Sequence, residues 1–154
     1  MTLNIKSPSF ADMGEIPVIH TAQGQDLSPP LVWSGLPPGT LSLALIVDDP
    51  DAPDPAAPMR TWVHWLLYNL PVDCEGLAEG VKALPRGTRE GINDWRRCGY
   101  GGPNPPIGRH RYLHKLYALD ALLPDLGLPD KAALVRAMQG HVLAEACLTG
   151  CYQR

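Results

Sequence analysis

The prolines of this chain fall in tight clusters: Pro29–Pro30, Pro37–Pro38, Pro50 to Pro58 and Pro103 to Pro106. Proline fixes φ and has no amide hydrogen to donate, so regular structure cannot run freely through such points. Fifteen glycines add to the seventeen prolines and sit largely among them. What remains between the clusters is a set of short apolar runs joined by rigid turns, which is the punctuation of a mainly β domain. At 154 residues the chain is the size of one domain, 1–154, able to bury its own core.

The runs themselves read as strands. Leu31-Val-Trp-Ser34 is a short one, stopped by the Gly35-Leu-Pro-Pro-Gly39 turn. In Leu41 to Val47 the residues Leu41, Leu43, Leu45 and Val47 alternate onto one face, and the same phase carried onward includes Asp49. Trp62 to Leu70 is apolar on both faces, as a central strand covered on each side must be. Strand periodicity puts His64 on one face with Trp62, Leu66 and Tyr68. Tyr112 to Leu119 is another strong strand. One helix is expected from near Asp130, which can cap it, through Leu134 and Met138 to a stop at Gly140. Glu145 to Tyr152 is read as a final strand.

Charge narrows the function. The net charge is −3, and the two densest basic spots, Arg86 to Arg89 and Arg96–Arg97, are short, so no nucleic-acid surface is expected. No apolar stretch reaches the roughly 18–20 residues of a membrane helix, and Met1 to Pro8 has neither the basic start nor the apolar run of a signal peptide. A cytoplasmic location is therefore expected. There, Cys74, Cys98, Cys147 and Cys151 should stay reduced. None of their spacings is the CxxC of a zinc site.

Three segments could carry chemistry. Asp49-Pro-Asp-Ala-Pro53 reads as a stiff loop at a strand end, either an ordinary acidic turn or the edge of a site. His64 sits in an almost wholly apolar strand, where a histidine is either a core residue bonded to backbone or a functional one. Gly102-Pro-Asn-Pro-Pro-Ile-Gly-Arg-His110-Arg-Tyr112 brings backbone N–H groups, an imidazole and a phenol together, a donor set suited to an oxyanion.

Taken together, Val47-Asp-Asp-Pro-Asp-Ala-Pro53, Trp62-Val-His64 and Gly102 to Tyr112 make the chain resemble the phosphatidylethanolamine-binding protein family, in its bacterial Raf-kinase-inhibitor-like branch. Ser28 to Gly35 and Gly140 to Ala146 extend the likeness over nearly the whole chain. The resemblance implies a mainly β fold, with a large central antiparallel sheet packed on a smaller one and one main helix towards the C-terminus. It implies a ligand pocket at one sheet end, lined by Asp49, Pro53, His64, Gly102, Pro105, Pro106, His110 and Tyr112. A small anion is expected there: phosphate, a carboxylate or a phospholipid headgroup. Asp51 and Arg111 are expected to form a buried ion pair bracing the two loops, and Ala52–Pro53 is a candidate cis peptide. Two features depart from eukaryotic relatives. Met59 stands where those relatives often carry a tyrosine, and no counterpart of their extra C-terminal helix is expected after Tyr152, so lid behaviour and lipid preference are not carried over.

The leading expectation is a binding module with no catalysis, cofactor or metal. The alternative is an interaction protein that inhibits a kinase or protease. The resemblance also admits a homodimer, since bacterial relatives include dimers. A less favoured reading makes Asp49, His64 and His110 a two-histidine, one-carboxylate metal set. It lacks the usual pairing of one histidine and the acid two apart on a strand. No Gly-x-Ser-x-Gly elbow is present for serine catalysis.

Overall fold

In a computed structural model that describes residues 2–154, the longest apolar runs become the long strands of one sheet. In chain order the strands are β1 (Asn4–Lys6), β2 (Gly14–Glu15), β3 (Leu31–Ser34), β4 (Ser42–Ala52), β5 (Arg60–Leu70), β6 (Gly76–Leu77), β7 (Arg89–Glu90), β8 (His110–Leu119) and β9 (Val142–Tyr152). The helix α1 (Lys131–Met138) precedes β9. The large sheet runs β2-β9-β8-β4-β5-β7 and the small one β1-β3-β6. Pairing is antiparallel throughout except for the two-residue β2, which lies parallel to β9.

Strand β4 lies inside the large sheet and is covered on both faces. Leu43, Leu45 and Val47 point into the core between the sheets, with Leu31 and Trp33 of β3 and Leu116 of β8. Ala44 and Ile46 point the other way, under Leu134 and Met138 of α1. The alternation separates two adjacent carboxylates. Asp48 goes to the helix side, where one oxygen accepts from Lys115 (3.1 Å) and Lys131 (2.7 Å). Asp49 goes to the face of the inter-sheet core, at its open end.

Several expectations are corrected in detail. Leu41 is 56% exposed and precedes β4 rather than belonging to its inward face. The segment Asp49 to Ala52 is not a loop: β4 continues through Pro50 to Ala52, which pairs with Arg60. This is tolerated because pairing with β8 ends at Asp48↔Leu113, so Pro50 has no donor to supply on that side, and the β5 register slips around it. His64 does not share a face with Leu66 and Tyr68. Val47 pairs with Trp65 and Asp48 with Val63, so His64 is the extra residue of a β-bulge. Beyond the bulge Leu66 and Tyr68 face α1, whereas His64 and Trp62 face the open end of the inter-sheet core.

The remaining elements follow the sequence closely. Asp130 caps α1 by accepting from the Ala133 amide at 2.9 Å, and Gly140 adopts φ +81° just beyond the helix end. Strand β9 begins three residues earlier than expected, at Val142, and β8 two residues earlier, at His110. The four cysteines are all free thiols.

Candidate functional site

The ends of β4, β5 and β8, together with the proline-rich loop before β8, enclose a cavity of about 330 Å³. Asp49, Pro53, His64, Pro105, Pro106, His110 and Tyr112 line it, so seven of the eight expected residues converge from four separate stretches of sequence. Gly102 does not line it. Its N–H is taken by Asp26 (2.7 Å), and a Cβ there would fall 2.4 Å from the His20 carbonyl oxygen. Glycine at 102 thus lets the loop close onto the segment 20–26 behind the cavity wall.

Asp49 and His110 form the floor. Both are almost fully buried. One Asp49 oxygen accepts from the Asp51 N–H at 2.7 Å, and the other lies 2.6 Å from His110 Nδ1. His110 Nε2 faces the carbonyl oxygens of Ile107 (2.8 Å) and Pro53 (3.0 Å). Carbonyls only accept, so Nε2 carries a hydrogen and the short Nδ1···Oδ2 contact holds one shared proton. The pair is neutral as a unit. Burial raises the Asp49 carboxyl above the ordinary carboxylate range, and the hydrogen bond from His110 works against that rise.

His64 is held differently. Its Nδ1 lies 2.6 Å from the Gly101 carbonyl, and the Gly101 N–H returns a bond to the His64 carbonyl at 3.1 Å. Burial pushes the imidazole down to about 4, so the ring is neutral. Among the described residues no group hydrogen-bonds its Nε2, which opens on the cavity. Trp95 and Tyr112 stand edge-on to the ring at 5.1 and 5.2 Å between centroids. The Tyr112 hydroxyl has no protein partner among the described residues, and burial, then Asp49, keep it protonated by raising it far above the ordinary phenol. Of the wall residues Asn104, Pro105 and Pro106, only Asn104 has an amide hydrogen, and no protein acceptor takes it.

The Asp51–Arg111 pair exists as expected: Nη2 donates at 2.8 Å, Nε at 3.0 Å and the Arg111 backbone N–H at 2.9 Å. It is not a buried pair, however, because the guanidinium side chain is 52% exposed while Asp51 is enclosed. The Ala52–Pro53 peptide is cis. Met59 is 77% exposed and does not line the cavity.

Sequence reasoning missed Ala52, Arg60, Trp62, Trp95 and Asn104. Trp62 carried a signal, since it lies two residues before His64 and pairs across from Asp49. Arg60, the one cation of the lining, also begins that strand. Trp95 carried none: it sits in an irregular loop between Asn93, whose side chain accepts from the Trp95 amide, and Arg96, with φ +66°. Among the described residues no three His, Cys, Asp or Glu side chains are placed to hold a metal ion. Asp49 and His110 are turned towards each other rather than towards a common point with His64.

Comparison with known proteins agrees with this architecture. The family model described as phosphatidylethanolamine-binding protein matches residues 6–153. A protein of Methanothermobacter thermautotrophicus carrying the family label UPF0098 is 46% identical over 155 residues, covering 99% of each chain. The crystal structure of a phosphatidylethanolamine-binding protein homologue from Chlamydia trachomatis superposes with a TM-score of 0.92 at 38% identity, covering 99% of this chain and 98% of that one. That of E. coli YbcL, described as a member of the mammalian family, gives 0.89 at 29% identity over 100% and 99% of the two chains. With fold, cavity and relatives in accord along its whole length, the chain belongs to the phosphatidylethanolamine-binding protein family.

Proposed function

We propose that this protein is a non-catalytic binding module whose cavity holds a small oxyanion, of phosphate or carboxylate type, free or as the headgroup of a larger molecule. The observation that carries this reading is the set of unpartnered polar groups on an aromatic and proline wall. The Tyr112 hydroxyl, His64 Nε2 and the Asn104 N–H have no protein partner, and Arg60 stands at the rim. A volume of about 330 Å³ suits a small ligand or headgroup and is at the lower end for ligand pockets. Acyl chains would have to lie outside it.

The same geometry speaks against acid–base chemistry by His110 and Asp49, and burial, which pushes His64 down to about 4, leaves its free lone pair a weak base. A general base needs a free lone pair within reach of a substrate proton. His110 has both nitrogens committed, and both Asp49 oxygens accept from the protein. These two residues act as positioning groups that hold the loops on either side of the cavity. No helix is long and apolar enough to cross a membrane. The four free thiols favour a reducing compartment, and we place the protein in the cytoplasm on that ground.

Calorimetric titration with phosphoethanolamine tests the reading. His64→Ala and Tyr112→Phe each remove one hydrogen-bonding group facing a charged ligand, and each should weaken binding by roughly 10- to 100-fold. Arg111→Ala, outside the cavity lining, should weaken it much less. Equal losses in all three variants, or none, would count against a ligand seated on His64 and Tyr112.

A further inference from the structure

We infer that the cavity recognises a hydrogen on its ligand: His64 presents a lone pair, so the pocket takes a phosphomonoester-type monoanion bearing one P–OH and disfavours phosphodiesters and sulfate. This rests on the oxyanion reading above and narrows it.

The inference begins with the Gly101 carbonyl. It lies 2.6 Å from His64 Nδ1 and can only accept, so that nitrogen carries the hydrogen of the neutral ring. Nε2, the nitrogen facing the cavity, is then a bare acceptor. The residue is 3% exposed, and the return bond from the Gly101 amide to the His64 main-chain carbonyl keeps the Gly101 carbonyl beside Nδ1, so a flipped ring would lose its one protein hydrogen bond. Charging it would be the alternative, and burial opposes that at neutral pH.

The surroundings do not supply a hydrogen in its place. The titratable and charged groups around the ring are Asp48 and Asp49 on β4, Arg60 on β5, and His110, Tyr112 and His114 on β8. Asp48 lies on the opposite face of the sheet, tied to Lys115 and Lys131. His114 is turned to the carbonyls of Tyr112 (3.1 Å) and Leu148 (3.2 Å). The single proton between Asp49 and His110 is held within that pair, which contributes no net charge. Donors for a ligand are therefore Tyr112, Asn104 and Arg60, and the acceptor is His64.

An oxyanion carrying only lone pairs would set one of them against Nε2, leaving two buried acceptors opposed. A protonated phosphate oxygen donates to Nε2 and places its remaining oxygens towards the donors. Net charge selects in the same direction, because one rim arginine over a neutral floor balances a monoanion better than a dianion. An intact phospholipid headgroup is a diester and has no hydrogen on its phosphate. The geometry thus favours a free or terminal monoester over the diester of a whole lipid.

The test is calorimetric titration of the full chain with monomethyl phosphate, dimethyl phosphate and sulfate at pH 6. A monoester with a second pKa of about 6 is then about half monoanion. Monomethyl phosphate should bind with one site, and dimethyl phosphate and sulfate at least about tenfold more weakly. Raising the pH to 8 should weaken monomethyl phosphate by about fifty-fold, following its monoanion fraction, while leaving dimethyl phosphate unchanged. His64→Gln, whose amide can donate, should narrow the gap between monoester and diester. Equal affinity for the two esters in the wild type, or an unchanged gap in His64→Gln, would overturn the inference while leaving the oxyanion site standing. Failure of all three probes to bind would overturn both.

Discussion

Alanine at position 110 should lower the unfolding free energy by about 3–5 kcal/mol, the scale for breaking a buried ion pair by removing one partner. His110 is fully enclosed, and its ring satisfies four things at once: the Asp49 carboxyl, the Pro53 and Ile107 carbonyls, and the gap between the two loops. His110→Ala strips the shared proton from Asp49 and leaves a carboxylate 3% exposed beside two unpaired carbonyls. Asp49→Asn should cost less, because an amide keeps the same shape, can still accept from the Asp51 N–H, and carries no charge to bury. Urea unfolding of both variants gives the comparison. A His110→Ala cost below about 1 kcal/mol would mean the pair is solvated and does not brace the site.

Acid should weaken the fold well above the pH at which ordinary carboxylates titrate. His64 and His114 are both buried and pushed down to about 4, from an unfolded value near 6.5. The unfolded chain therefore takes up these protons first. Stability from this source is fully present above about pH 6.5, falls as pH drops towards about 4, and changes no further below that. Each histidine contributes at most about 3 kcal/mol to the loss, taking 1.36 kcal/mol per pKa unit. Asp49, whose carboxyl burial raises, works in the opposite sense near the acid end of the window. Urea midpoints measured from pH 7 to pH 4 should fall steadily, and His114→Gln should remove about half of the fall. A midpoint flat across that range would show that the imidazoles charge within the folded protein.

Much of this was legible in the sequence because the fold rests on alternation and punctuation. The strands at Leu31–Ser34, β5, β8 and β9, and the Asp130 cap, each announce themselves through periodicity or a stop residue. The convergence of Asp49, His64, His110 and Tyr112 was readable from the motifs that carry the family resemblance. What the sequence hid is where regular periodicity breaks. The bulge at His64 turns the histidine away from Leu66 and Tyr68, and no residue type at that point signals it. Pro50 looked like a strand terminator because its position relative to the end of the β8 pairing is a property of the sheet, not of the local sequence. Trp95 reaches the cavity from a loop without a pattern. Gly102 belonged to the motif for its packing against His20 and Asp26, which only the fold brings beside it.

The proposal of an oxyanion seat stands or falls on where a ligand sits. Crystals grown without phosphate or sulfate and soaked at pH 6 with phosphoethanolamine would locate it. The phosphate group should lie in the cavity enclosed by β4, β5 and β8, within hydrogen-bonding distance of His64 Nε2 and the Tyr112 hydroxyl, with the Asp49–His110 contact intact. Density for the ligand elsewhere on the protein, with this cavity holding only water, would contradict the account.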